Sequence, residues 1–329
     1  MLRITCKLSM VAFVVVVMLA GNVNADSIMA WGRNNNQQVT LTNAETLSDF
    51  TAIAGGGSSV FALRAGTIVE YAATKFGTVP NPSPATYVGV GAGEDCAYGL
   101  TSTGVVKAWG GNTYSQRSGT PTTTGHTAVE GSKYNGLALT SNGSIEVWGT
   151  YNTYGMVTNK PTGSGYTQIS GGGYWAMALA ADGSIDAWGY NGFGQVTNAP
   201  TDSGYVKIYA ALSTGMALKA DGSIAVWGYT GSAGNFITGK PTGTGYTDIA
   251  GSESALFALK DGQITAWGAN TYGELNVPTL PQGYVYTALA AVNAGTGIAL
   301  YAIPEPVSLS VLALGGLALL SRRCRRTRG

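Results

Sequence analysis

The chain has 329 residues, with 18 Lys+Arg, 17 Asp+Glu, one His and a formal charge of +1. Seven basic residues lie at the two ends, so residues 26–306 carry 11 basic against 17 acidic side chains, a net of −6. That acidic body lacks the basic footprint nucleic-acid binding requires, and with Cys96 its only cysteine no internal disulfide can form.

In chain order, Met1–Ala25 comes first. Arg3 and Lys7 precede an apolar run, Met10–Ala20, and Val23-Asn24-Ala25 closes it with small or apolar residues at positions −3 and −1. This is the layout of a secretory signal peptide over residues 1–25, with cleavage expected between Ala25 and Asp26. Cys6 stands before the apolar run and is not placed like a lipoprotein cysteine.

The body, residues 26–303, repeats. Trp31, Trp109, Trp148, Trp188, Trp227 and Trp267 are each followed by Gly, and Tyr71 fills the gap between the first two. Successive spacings are 40, 38, 39, 40, 39 and 40 residues. A period near forty with turn signals marks a propeller or a solenoid. Short runs of Val, Ile, Thr, Tyr and Ala between Gly-rich breaks, with no helical stripe, predict strands. Forty residues accommodate four strands of ~5–6 residues, the content of one propeller blade. Asn142-Gly143, Asp182-Gly183 and Asp221-Gly222 read as two-residue hairpin turns with positive φ at both positions. Trp supplies a large buried surface between blades.

The units divide at 51–85, 86–126, 127–166, 167–205, 206–246 and 247–286. Residues 287–301 begin a further unit and stop, whereas 28–32 read as the end of one. Joined, they predict a seventh blade. The expected fold is all-β: a seven-bladed β-propeller of about 39–40 residues per blade, the last closed by N- and C-terminal strands. Closure removes the exposed edges of an open array.

The repeat resembles that of the regulator of chromosome condensation family of seven-bladed propellers. Gly171–Gln195, GGGYWAMALAADGSIDAWGYNGFGQ, carries the likeness best, and Asn112-Thr113-Tyr114 and Asn270-Thr271-Tyr272-Gly273 echo its final loop. The likeness spans roughly residues 27–302 and weakens in unit 51–85, where Tyr71 replaces Trp and VPNPSP follows, and in unit 206–246. It implies a scaffold more than an activity, so function rests on the site.

Chemistry-bearing residues are sparse. His126, in TTTGHT, reads as a solvated loop histidine. One body cysteine and one histidine cannot make a zinc set, no calcium loop appears, and the Gly triplets at 55–57 and 171–173 lack the helix and Lys of a phosphate loop. No catalytic, metal or cofactor residue is expected, and no enzyme. Glu94, Asp95, Glu130 and Glu253 stand at related repeat positions and could line one face. Aromatic residues carry more weight: Tyr151, Tyr154, Tyr174, Trp175, Tyr190, Phe193 and Tyr272 fall in loops, where rings anchor partners. Trp175, Tyr190 and Phe193 are the expected binding residues. The Tyr of GSGY and GTGY (163–166, 243–246) reads as packing between blades.

Residues 304–329 form a tail: Pro304-Glu305-Pro306, an apolar run Val307–Leu320, then Arg322, Arg323, Arg325, Arg326 and Arg328. The run is shorter than the ~20 residues of a comfortable membrane-spanning helix, and the arginines would hold its end at the cytoplasmic face. This tail resembles the PEP-CTERM sorting signal of exported bacterial proteins. The resemblance implies processing by an exosortase-type enzyme, a transient hold in the inner membrane, and a biofilm-forming bacterial source. The expected function is thus a non-enzymatic propeller at the cell surface or in the extracellular matrix, binding polysaccharide or an envelope protein. A secreted protein-binding or inhibitor propeller is the alternative, and a glycan-active enzyme stands behind both.

Overall fold

The computed structural model describes residues 27–34, 49–71, 76–230, 236–292 and 295–302. The signal segment with its cleavage point and the tail from Pro304 lie outside them. Twenty-one strands form seven three-stranded antiparallel sheets. In six of them three consecutive strands meander: β2 (Phe50–Gly56), β3 (Ser59–Arg64) and β4 (Thr67–Tyr71); β5 (Tyr87–Ala92), β6 (Cys96–Thr101) and β7 (Val106–Gly110); β8 (His126–Gly131), β9 (Gly136–Thr140) and β10 (Ile145–Trp148); β11 (Tyr166–Gly171), β12 (Trp175–Ala180) and β13 (Ile185–Gly189); β14 (Tyr205–Ala210), β15 (Thr214–Lys219) and β16 (Ile224–Gly228); β17 (Asp248–Gly251), β18 (Ala255–Lys260) and β19 (Gln263–Gly268). The seventh joins β20 (Val285–Val292) and β21 (Thr296–Ala302) to β1 (Ser27–Gly32), with Trp31 opposite Gly297. The first strands touch in the cycle β2, β5, β8, β11, β14, β17, β20 and back to β2, so the ring closes. The fold is the seven-bladed propeller expected, sealed by both ends of the body.

Middle strands are buried on both faces and lose the alternation of a half-exposed strand, as in WAMALA and ALFALK. Among the described residues the buried apolar side chains fall into seven clusters, each spanning one blade interface. Every Trp of a Trp-Gly pair packs against the preceding blade. Trp31 meets Phe257 edge-on at 5.4 Å, and Trp148 meets Tyr98 at 5.3 Å. Five indoles also donate to a main-chain carbonyl of the preceding blade: Trp31 to Glu274, Trp148 to Gln116, Trp188 to Met156, Trp227 to Gln195 and Trp267 to Phe236, at 2.8–3.0 Å. Trp-Gly closes each unit because the indole fastens one blade to the last. The Gly that follows turns the chain away at φ +95° to +120°.

Unit 51–85 breaks the rule from both sides. Tyr71 takes the Trp position, but its buried hydroxyl has no partner among the described residues, and neither has the Trp109 indole facing that unit.

Two sequence expectations need correction. Each blade has three strands among the described residues, where four were expected. The stretch meant for the fourth is curled by an Asn carboxamide: Asn152 Oδ1 accepts from Val157 N (2.8 Å) and Thr158 N (3.3 Å), Asn112 and Asn191 do the same in their loops, and Asn270 Oδ1 accepts from Leu275 N. That turn presents the carbonyl which the next Trp takes. The hairpin turns differ too. At Asn142-Gly143, Asp182-Gly183 and Asp221-Gly222 only the Gly has positive φ. Gly183 N donates to Ala180 O and Ala180 N to Ser184 O, a type I turn with a glycine bulge. Asp182 Oδ1 accepts from Ser184 N at 2.9 Å. Positive φ at both positions occurs in the hairpins one residue shorter, at Ala65-Gly66 and Asp261-Gly262.

Candidate functional site

Two turns of each repeat lie at the same end of the ring: the one between first and second strands, and the Asn loop after the third. In four successive units these turns carry rings. Tyr134 and Tyr174 come from the first turn, Tyr151, Tyr190 and Tyr229 follow the Trp-Gly pairs, and Tyr114, Tyr154 and Phe193 stand two residues after the loop Asn. They touch in one continuous arc: Tyr114–Tyr134 4.5 Å, Tyr134–Tyr151 5.1 Å, Tyr151–Tyr174 5.3 Å, Tyr154–Tyr174 5.6 Å, Tyr154–Tyr190 4.8 Å, Tyr190–Phe193 6.1 Å and Phe193–Tyr229 4.8 Å between centroids. Most pairs are tilted or edge-on. The Lys133 ammonium lies 5.6 and 5.5 Å from the Tyr134 and Tyr174 centroids. Partial burial, with Tyr134, Tyr151 and Tyr154 around it, pushes the Tyr174 phenol up to about 12, so that ring stays uncharged at neutral pH. Tyr154 (38%) and Phe193 (46%) are its exposed members.

The expected binding residues divide. Phe193 is exposed and Tyr190 half-buried, both within the arc. Trp175 is wholly buried: its indole donates to Ala211 O (3.3 Å) and Leu212 O (3.2 Å) of the next blade, so it fastens blades and is closed to a ligand. It opens β12, a middle strand, and middle strands have no exposed face; that position was the available signal. Tyr272 stands apart, with the Arg33 guanidinium 4.8 Å over its ring. Tyr114, Tyr134 and Tyr229, passed over in the sequence, are repeat equivalents of arc members, which stacking the units would have revealed. Tyr166 and Tyr246 pack at blade interfaces as expected.

His126 is likewise corrected. It opens β8 and is buried, with Nδ1 2.9 Å from Gly104 O and Nε2 3.1 Å from Glu146 Oε2. Among the described residues the amide at or near the start of the first strand meets the preceding blade's hairpin turn in six blades, as Tyr166 N does in donating to Gly143 O.

The four carboxylates do not form one set. Glu94 and Glu253 stand at the ring end bearing the arc, where the Glu94 charge helps to raise the Glu253 carboxyl. Asp95 accepts from Gln116 Nε2 at 3.1 Å, and burial raises its carboxyl. Glu130 belongs to β8 and faces the central channel, a polar cavity of about 190 Å³ also lined by Gln168, Ser170, Lys207 and Tyr209. Glu130 is half-buried with protein all around it, and that desolvation pushes its carboxyl up to about 8 against the pull of the Gly131 amide and Lys207. The channel's other polar groups are engaged between blades: Gln168 bonds both Ile208 N and Ile208 O, Ser170 Oγ accepts from Ala210 N, and Lys207 pairs with Asp248. Among the described residues no three His, Cys, Asp or Glu side chains gather to hold a metal, and no helix is long and apolar enough to cross a membrane. Cys96 is buried, its thiol pushed up to about 11 chiefly by desolvation.

No family model and no curated protein matches the sequence. Solved structures match in fold. Yeast RCC1 (Prp20), solved bound to Kap60, aligns at TM-score 0.68 and 14% identity over 90% of this chain and 92% of its own. Prp20p from Saccharomyces cerevisiae, described with its binding to Gsp1p and histones, aligns at 0.66 and 13% over 91% and 96%. Human WBSCR16 aligns at 0.66 and 15% over 86% and 100%. The structural neighbours are therefore RCC1-like β-propellers. The ectodomain of the Arabidopsis thaliana receptor kinase ACR4 is similar as well, at 0.58 and 20% over 75% and 90%. At these identities the likeness establishes the fold.

Proposed function

We propose that this chain is an exported, non-enzymatic binding propeller whose aromatic arc holds a protein of the cell envelope or matrix. The arc carries the reading: eight contiguous rings at one end of a closed ring of blades, two of them exposed. Tyrosine and phenylalanine anchor protein interfaces at low entropic cost. A protein is favoured over a polysaccharide because sugars stack flat on free ring faces, whereas six of the eight rings are half-buried against their neighbours and Lys133 lies over two of them. The yeast neighbours, described with Kap60, Gsp1p and histones, lend analogy to protein binding. Export rests on residues 1–25. Exosortase-type processing, with a transient inner-membrane stage, rests on Pro304-Glu305-Pro306 and the Arg cluster from Arg322.

The test compares retention of the wild-type protein and Tyr154→Ser/Phe193→Ser on solubilised envelope protein and on purified exopolysaccharide from the producing cells, across a salt series. Saturable retention on protein that the double variant loses at least tenfold supports the reading. Retention on polysaccharide alone replaces protein with glycan, and equal retention of both forms removes the arc. N-terminal sequencing of the exported form is expected to begin at Asp26.

A further inference from the structure

Beyond Tyr229 the arc ends at a cleft of about 400 Å³. One wall is the ring pair Phe193 and Tyr229, 4.8 Å apart; the other is the Ser252-Glu253-Ser254 turn between β17 and β18. Glu253 is exposed there and acts among Glu94 and Glu274, with Arg33 and Lys133 opposing: three carboxylates to two cations. Partial burial is the largest influence raising its carboxyl; Arg33 and Lys133 pull it down and the two glutamates push it up. A further cation would relieve that repulsion. The neighbouring contact already shows the geometry: Arg33 Nη1 lies 3.5 Å from Glu253 Oε1 while its guanidinium covers Tyr272.

We propose that this cleft receives a basic side chain, arginine before lysine, from the protein held by the arc, stacking it on Phe193 and Tyr229 and pairing it with Glu253. The inference rests on the protein-binding reading above and names the chemistry of that partner. A planar guanidinium meets a ring face and a carboxylate at once, which an ammonium does less well. The net charge of −6 on residues 26–306 favours the same partner at long range.

The test is calorimetric titration of the full-length protein with N-acetyl-arginine amide and with the uncharged isostere N-acetyl-citrulline amide. Saturable arginine binding about tenfold tighter than citrulline binding is expected, with the difference removed by Glu253→Gln and arginine binding weakened about threefold by Phe193→Ala. Both positions are exposed, so the variants keep the fold; Val206→Ala, at the far end of the ring, is expected to bind as wild type. Equal binding of the two amides, no saturable binding, or indifference to Glu253→Gln overturns the inference. Retention of envelope protein through Tyr154 and Phe193 in that event leaves the arc in place, so the two failures are separable.

Discussion

A buried indole N–H without an acceptor forfeits about 1–3 kcal/mol, and the repeat holds both cases. Trp148 donates to Gln116 O, whereas Trp109 finds no acceptor among the described residues. Trp148→Phe is therefore expected to cost about 1–2 kcal/mol more than Trp109→Phe, read from urea midpoints. Tyr71→Phe should be neutral or stabilising for the same reason. Glu130 supplies a pH signature. Its folded-state carboxyl titrates near 8 and its unfolded one near the ordinary carboxylate value, so between those limits the folded state keeps a proton the unfolded chain has released. Stability should fall as pH rises through that window. Thermal melts should find Glu130→Gln close to wild type at pH 5 and more stable at pH 9; an equal difference at both pH values would contradict the assignment.

At the scale of single elements, positive φ is demanded of glycine. Gly183→Ala places a methyl at φ +80°, with its Cβ 2.6 Å from Gly204 N, and is expected to cost at least 1–2 kcal/mol in chemical denaturation. The repeat period, the hairpins and the split blade were legible because Trp-Gly and Asp-Gly mark them directly. The turn type was written more finely: one residue separates Leu179-Ala180-Ala181-Asp182-Gly183 from Leu259-Lys260-Asp261-Gly262, and that residue converts a two-residue turn into a bulged one. The missing fourth strand was hidden because Val157 and Thr158 suit a strand, yet the Asn152 side chain captures their N–H groups first. Trp175 misled for a related reason. Loop and strand differ there by one position, and burial reversed its role.

At the scale of the molecule, seven similar blades share one load, and β1 seals it. Deleting residues 27–32 would bare the β21 edge and leave Glu274 O without the Trp31 indole. Such a chain is expected to lose the single cooperative melt of the closed ring and to self-associate on size-exclusion chromatography. The closed ring also separates two ends. The arc occupies one, and Val88 and Val206, each 55% exposed at the start of an inner strand, lie at the other. The most direct measurement places a benzophenone amino acid at position 154, 193, 88 or 206 in turn and irradiates the producing cells. The account predicts one discrete protein adduct from 154 and 193 and none from 88 and 206. Equal adducts from both ends, or adducts from 88 and 206 alone, would contradict it.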